Sequence, residues 1–402
     1  MKRFLVLLLL FILSWITYLD RAAISSAKEA IAGDMKLDDQ SIGFVFSSFA
    51  LGYALAQVPS GWFADRLGPR LALTIVVTGW SIFTGITGLV STLFWMIVVR
   101  FIFGVAEAGA YPGSARVFFN WFPTEQHGRA NGLIFAGSRL GMAFAFPLLA
   151  WLMKEFGWRN AFLILTAPGI IWGMIWFAWF RDHPPAELAP PRRPAEEQVA
   201  LGKVFRSRAM LLAMGQYFCS NFTNFLSLSW MNPYLIQQYN LPRETAAWYT
   251  MMILLIGATS QSVAGVVTDA LYTSRWRPFS RRIPAVAGFT MSAIGLQAIR
   301  MADQPVEAVL GFSLAVFGAE LTISPSWAFC IDLGGNKSGA VTGAMNMIGN
   351  LGSFVSANAF PFLQRIPSIS GAYFLAAAML NLLAALMWTQ MRSRGERRVN
   401  PV

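Results

Sequence analysis

Residues 4–26 read FLVLLLLFILSWITYLDRAAISS, an apolar run with an adjacent acid and base, Asp20 and Arg21, near its end. Coiled as a helix it rises ~34 Å, enough to cross the ~30 Å hydrocarbon core of a bilayer. The run continues into Asp20–Arg21 with no small-residue cleavage pattern, so it is expected to persist as a first span and not to be removed as a secretion signal. Runs of the same kind recur near 41–64, 71–90, 93–115, 130–151 and 159–180, then near 209–238, 246–268, 283–301, 306–331, 338–362 and 370–391. Together they predict an all-α polytopic membrane protein with 12 transmembrane helices.

The composition agrees. Of 402 residues 55% are apolar and 13% charged, against ~25% charge in soluble domains, and mean hydropathy is +0.51. A soluble enzyme, a disordered chain and a disulfide scaffold are excluded on that balance. Cys219 and Cys330 both fall in apolar stretches and are expected as two buried thiols. His127 and His183 have too few thiols near them for a zinc site, and no HExxH, GxSxG, Walker or Rossmann pattern appears. No metal, cofactor or catalytic residue is therefore expected. The formal charge of +11 suggests nucleic acid only until the charge is located. With a cytoplasmic N-terminus, the inner loops and tails hold 21 Lys and Arg and the outer loops 7, the other three being Arg21, Arg100 and Arg139. That threefold excess satisfies the positive-inside rule with both termini cytoplasmic. The positive charge marks topology, and no nucleic-acid partner is expected.

The longest polar, proline-rich segment is 181–208, with Pro184, Pro185, Pro190, Pro191 and Pro194. It reads as a cytoplasmic linker between an N-terminal six-helix bundle, 1–180, and a C-terminal one, 209–402. The two halves echo each other. GWFADRLGPR (61–70) after span two carries Gly61, Asp65, Arg66, Gly68 and Arg70, and GVVTDALYTSRWR (265–277) after span eight repeats the Gly-to-Asp spacing with Gly265 and Asp269. Gly128, Gly132 and Gly141 in span five have the same spacing as Gly339, Gly343 and Gly352 in span eleven. Taken singly, small residues at helical spacing serve helix packing. As matched pairs they indicate duplicated halves, the plan of an alternating-access transporter with its site near the midplane.

In these motifs the chain resembles the major facilitator superfamily. The 61–70 loop matches that family's signature between spans two and three, with Pro69 in place of one basic residue. The resemblance implies two pseudo-symmetric six-helix bundles and a cytoplasmic latch, with Asp65, Arg66, Arg70 and, in the more degenerate second copy, Asp269 as gating residues.

Six ionisable residues lie inside the apolar spans: Asp20, Arg21, Arg100, Glu107, Arg139 and Glu320. Each costs ~2.5–3.5 kcal/mol at mid-bilayer on the insertion scale, so they must face one another or a hydrated cavity. Arg100 and Glu107 are seven apart and share a helix face about 10 Å apart along the axis, too far for a direct ion pair and suited to lining one cavity. Tyr18 and Arg21 share a face of span one, while Asp20 points about 100° away. Tyr53 and Gln57 share a face of span two. These charges read either as interhelical ion pairs holding the bundle or as an ion and substrate path, and the second reading is favoured.

Tyr18-Leu19-Asp20-Arg21, Arg100 with Glu107, Gly157-Trp158-Arg159, Arg181-Asp182-His183-Pro184, Trp230 with Pro233-Tyr234, Ser326-Trp327, and Asn346 with Asn350 also resemble the anion:cation symporter branch of that superfamily. The branch includes bacterial galactonate, glucarate and hexuronate symporters, sialin and the vesicular glutamate transporters. The resemblance implies that Asp20 and Glu107 carry protons, that Arg21 sets the protonation of Asp20, and that Arg100 senses Glu107 or guides the anion. It implies a substrate site lined by Tyr18, Tyr53, Ser138, Ser324, Ser326, Trp327 and Asn346. An Arg fork suits a carboxylate, and hydroxyl and amide groups can read a sugar acid. Arg139 departs from the sugar-acid pattern; on the residues alone it either meets a more compact or dicarboxylic anion or pairs with Glu320.

The expected function is import of a small organic anion, a sugar acid or related carboxylate, with protons by alternating access. A bacterial inner membrane and a monomer are expected. One proton with a monoanion is electroneutral; two carriers make import electrogenic, worth ~2.3 kcal/mol per charge per 100 mV, and this is the expected case. An efflux antiporter of drugs or metabolites shares the latch, though a cationic drug suits a cavity without Arg21 and Arg139. A non-transporting membrane sensor is the other class, and no soluble signalling domain is evident to support it.

Overall fold

The computed structural model describes residues 2–188, 200–226, 230–364 and 371–391. The prolines Pro190, Pro191 and Pro194 of the expected linker lie outside them. The main elements are α1 (Lys2–Ser26), α2 (Lys28–Met35), α3 (Asp39–Leu67), α4 (Pro69–Leu89), α5 (Leu93–Glu107), α6 (Ala110–Trp121) and α7 (His127–Trp179). They continue with α8 (Leu201–Phe205), α9 (Arg208–Phe225), α10 (Met231–Tyr239), α11 (Arg243–Tyr272), α12 (Arg282–Met301), α13 (Pro305–Leu321), α14 (Ile323–Gly334), α15 (Ser338–Gln364) and α16 (Ala372–Gln390). Each of the twelve expected spans falls mainly on helix, with turns at 108–109 in span four and at 322 in span ten, and the regular elements described are all helices.

Among the described residues, eight helical stretches are long and apolar enough to cross a membrane. Two of these, of 56 and 52 residues, are each long enough for two crossings. In α7 the turn between crossings is at Gly157, whose φ of 74° and ψ of 160° interrupt the helix. An L side chain rarely adopts that conformation, so a glycine is suited to the bend. Local signals start the other helices. The Asp38 carboxylate accepts the Ser41 N–H at the start of α3, Pro69 opens α4 after Gly68 at φ 84°, and a Gln304/Glu307 capping box with Pro305 opens α13.

Large apolar side chains cover the outside: Phe4 is 69% exposed, Leu310 64% and Leu386 60%. Such a surface is stable only against lipid, and helices satisfy their own backbone groups there.

The chain forms two compact units. One comprises Met1–Pro123, Gly137–Gln198 and Gly334–Gly343; the other comprises Thr124–Ala136, Val199–Leu333 and Ala344–Val402. A core of the first joins Leu19, Ile42, Met96, Leu149 and Phe162. A core of the second joins Phe222, Leu235, Ile253, Phe312 and Phe374. In the first unit Gly104 of α5 sits so close to α3 that an added Cβ would overlap the Phe49 carbonyl oxygen and lie 2.9 Å from the Tyr53 nitrogen. This close approach positions the residues described next.

Candidate functional site

Arg21 leaves α1 beside the last residue of α5, Glu107, and its Nε lies 2.5 Å from Glu107 Oε1. Glu107 is fully buried and Arg21 partly so. α5 ends at Glu107 and α6 restarts at Ala110, so the carboxylate stands at a break in span four. Around the guanidinium are the rings of Tyr53 at 4.5 Å, Tyr18 at 5.2 Å and Phe49 at 5.5 Å. Aromatic faces attract a cation by ~0.5–2 kcal/mol each, so they hold the head in place without neutralising it. Tyr111 of α6 shares a 3.0 Å hydrogen bond with Ser14 of α1.

Asp20 turns the other way, as its 100° offset requires, and its Oδ2 accepts the Trp80 Nε1–H of α4 at 3.0 Å. The resemblance implies that Arg21 sets the protonation of Asp20; in the structure the Arg21 head lies against Glu107. Arg100 lies one face with Glu107 on α5, its head 4.3 Å from the Phe103 ring and 5.3 Å from Phe49. Four buried polar atoms of this group have no hydrogen-bond partner among the described residues: the donors Arg21 Nη2 and Arg100 Nε, and the acceptors Glu107 Oε2 and Asp20 Oδ1. An unsatisfied buried group costs ~1–3 kcal/mol, more when charged, so such a set in one place requires a reason. Two donors suit an anion, and two carboxylate oxygens suit protons. Ser138 is buried and Arg139 half-buried on α7, whose neighbouring Gly137 and Gly141 pack on Phe11 and Trp15 of α1.

In the second unit Trp327 donates Nε1–H to the Tyr217 hydroxyl at 2.8 Å, with the Phe135 ring centroid 5.3 Å away. The Ser324 hydroxyl donates to the Gly128 carbonyl oxygen at 2.7 Å. The Ser326 hydroxyl donates to the Thr322 carbonyl oxygen at 2.7 Å and lies 3.2 Å from Gln216 Oε1. Asn346 is buried, and its carbonyl oxygen accepts from Asn350.

The latch residues have a common geometry. Asp65 accepts the Gly339 and Ala340 N–H groups at 2.9 and 2.8 Å, at the start of α15. Asp269 accepts the Gly128 and Arg129 N–H groups at 2.9 and 2.8 Å, at the start of α7. Each carboxylate thus sits on the positive end of a helix, at its second and third residues. Arg66 is exposed over the Trp62 ring, while Arg70 donates to the Phe177 carbonyl oxygen and takes Asp182 on its backbone N–H.

Sequence reasoning missed several members. Trp80 and Tyr111 were legible only as aromatic residues whose polar tips need partners when buried. A cluster around Asp269 was also missed: Arg281 lies 3.5 Å from Asp269, 3.4 Å from Asp332 and donates to the Thr124 carbonyl oxygen, and His127 Nδ1 lies 2.9 Å from Asp332.

Comparison with known proteins accords with this arrangement. Residues 10–357 match the family model of the Major Facilitator Superfamily. The chain is 29% identical over 397 residues to a probable sulfoacetate transporter of Cupriavidus necator, covering 94% of this chain and 92% of the relative. It is 28% identical over 384 residues to a hexuronate transporter of Bacillus subtilis, covering 93% and 91%. To a D-galactonate transporter of Escherichia coli it is 31% identical over 316 residues, covering 72% and 73%. In fold it is similar to a proton:xylose symporter solved with 6-bromo-6-deoxy-D-glucose (TM-score 0.72, 15% identity, 97% of this chain and 96% of that one). It is likewise similar in fold to the human organic anion transporter MFSD10 (TM-score 0.72, 15% identity, 95% and 98%).

Proposed function

This chain belongs to the Major Facilitator Superfamily, and we propose that it imports a small organic anion, of the sugar-acid or related carboxylate class, together with protons. It is a multi-pass membrane transporter and not an enzyme. The observation that carries the reading is the contact of Arg21 Nε with Glu107 Oε1, with Arg21 Nη2 and Glu107 Oε2 lacking a hydrogen-bond partner among the described residues in the same buried place.

While Glu107 is ionised it is the counter-ion of Arg21, and a substrate carboxylate must compete with it for one guanidinium. A proton on Glu107 removes that competitor, and the planar fork becomes available to the anion. Proton and anion then enter as a set, which is symport. Arg100, whose Nε has no hydrogen-bond partner among the described residues, guides or holds the second end of the substrate, and Asp20, held by Trp80, is the second proton carrier. Tyr18, Tyr53, Ser138, Arg139, Ser324, Ser326, Trp327 and Asn346 line the substrate path in this reading. Asp65 and Asp269 work as the latches, with Arg66 and Arg70 beside the first. Relatives that carry sulfoacetate, hexuronate and D-galactonate support a compact anion with polar substituents. The charge asymmetry of the loops supports cytoplasmic termini in a bacterial inner membrane, with the six-helix bundles 1–180 and 209–402 joined by 181–208.

The test is uptake into proteoliposomes of D-galactonate, D-glucarate, D-glucuronate and sulfoacetate under an inward proton gradient, after a thermal-shift screen with the same acids. Glu107→Gln is expected to abolish gradient-driven accumulation and to keep counterflow exchange. Full accumulation in that variant would remove Glu107 as the coupling group.

A further inference from the structure

One residue, Gly68, separates α3 from α4, and the latch loop turns on it. Its φ of 84° and ψ of 149° belong to a region that glycine enters far more readily than any other residue. Pro69, which stands where the family's signature has a basic residue, opens α4 and has no N–H, so the Arg70 N–H is the first donor that helix presents. Asp182 takes it: the Asp182 Oδ1 accepts the Arg70 N–H at 2.7 Å.

The same carboxylate closes over the corner, where a Cβ added at Gly68 would stand 2.7–2.8 Å from its Cγ and both its oxygens. Arg70 answers from the other side. It forks the Phe177 carbonyl oxygen with Nε at 2.9 Å and Nη2 at 2.7 Å, its head 4.5 Å from the Phe177 ring. The buried Trp176 donates its Nε1–H to the Pro69 carbonyl oxygen at 3.3 Å. A carboxylate thus sits on the start of α4 and a guanidinium on one of the last carbonyls of α7, each charge at the helix end whose dipole favours it. The end of α6 holds Asp182 in turn: Asn120 Nδ2–H donates to the Asp182 carbonyl oxygen and Trp121 Nε1–H to that of Arg181, both at 2.9 Å.

We infer that Asp182 is a positioning residue of the latch: by clasping the Gly68 corner to the end of α7, it presents the Asp65 carboxylate to the Gly339 and Ala340 N–H groups. The inference rests on the latch reading of Asp65 above. Asp65 lies in the last turn of α3, three residues before the corner. Without the clasp, α3 and α4 meet at a glycine with many backbone conformations open to it, and the aim of Asp65 is lost with the corner. The hydrogen bonds of Asp182 run to α4 and α6, so its effect on the start of α15 passes through the corner. Opening of the latch and release of the end of span six are then one event in the transport cycle.

Hydrogen–deuterium exchange of the full-length protein reads both ends of this lever, in peptides spanning 68–75 and 334–345. Asp182→Ala is expected to quicken exchange at Arg70 by about 10-fold to 100-fold, the loss of one charge-assisted bond. It is also expected to quicken Gly339 and Ala340, by about 2-fold to 10-fold, with peptides from α12 unchanged. Asp65→Ala leaves no latch carboxylate to position, so adding Asp182→Ala to it is expected to leave Gly339 and Ala340 at the rate of Asp65→Ala alone. Independent effects would multiply instead, and a general loosening would raise α12 with the rest. Exchange at 339–340 unmoved by Asp182→Ala overturns the inference, as does the same factor in both backgrounds or an equal rise in α12. If Asp182→Ala folds poorly, Arg70→Lys, which loses the fork on Phe177 from the opposite side of the clasp, decides by the same comparisons. An Asp65→Ala protein with wild-type exchange at 339–340 ends the latch reading and the inference with it, whereas silence of Asp182→Ala alone ends only the inference.

Discussion

Replacing Asp65 with Asn keeps the shape of the latch and removes its charge, so its effect can be worked from two hydrogen bonds. Asp65 takes the Gly339 N–H on Oδ1 at 2.9 Å and the Ala340 N–H on Oδ2 at 2.8 Å. An asparagine has one acceptor oxygen, and its amide turns a donor toward the other N–H. One charge-assisted bond is lost, worth ~1.5–3 kcal/mol, together with the attraction of a full negative charge to the helix terminus, ~0.3–1 kcal/mol. The sum is about 2–4 kcal/mol, and at 1.4 kcal/mol per factor of ten it corresponds to about 30-fold to 700-fold in the local opening equilibrium. Hydrogen–deuterium exchange of peptides spanning 334–345 reads that opening directly. Gly339 and Ala340 should exchange faster in Asp65→Asn by a factor in that range, with peptides from α12 unchanged. Asp269→Asn should do the same to Gly128 and Arg129, because the distances match. Equal exchange in wild type and both variants would show that the carboxylates do not hold these helix starts, and the latch argument would fall.

Two further substitutions test what positions the site. Trp80→Phe removes the indole N–H donated to Asp20 Oδ2 while keeping most of the ring; it should destabilise the protein by about 2 kcal/mol, read as a lower melting temperature, and an unchanged melting temperature would show that the bond contributes nothing. Gly104→Ala drives a methyl into the α3 backbone at Phe49 and Tyr53 and should cost about 1–3 kcal/mol together with uptake, whereas Gly79→Ala, whose Cβ meets only Ala106 Cβ at 3.6 Å, should be tolerated. Equal behaviour of the two glycine variants would refute the close approach as the element that aligns Tyr53 with Glu107.

The spans were legible because hydropathy over 20 residues is a bulk property, insensitive to which neighbour a helix meets. The candidate charges were legible for the same reason: a charge such as Glu107 or Arg21 inside an apolar run is conspicuous whatever it touches. Its pairing was not. Arg21 and Asp20 are adjacent in sequence, yet the helix sends one to α5 and the other to α4, and only the packing of three helices decides that Glu107 and Trp80 are the recipients. The short α2 was also invisible, since eight residues between two spans, six of them polar or small, have the composition of a loop. So was the break after Glu107, because Ala108 and Gly109 read as ordinary small residues of a packed helix.

The duplicated motifs behave differently from one another, and the difference is informative. The latch survives in both copies with nearly equal hydrogen-bond lengths, although the second copy is degenerate beyond Asp269. A carboxylate on two backbone N–H groups needs only one side chain and a helix start, so the flanking residues were free to change. Spans four and ten each carry a buried acid as well, the first with Arg21 against its carboxylate and the second accepting an N–H of the Gln261 amide, so the acids correspond while these contacts differ.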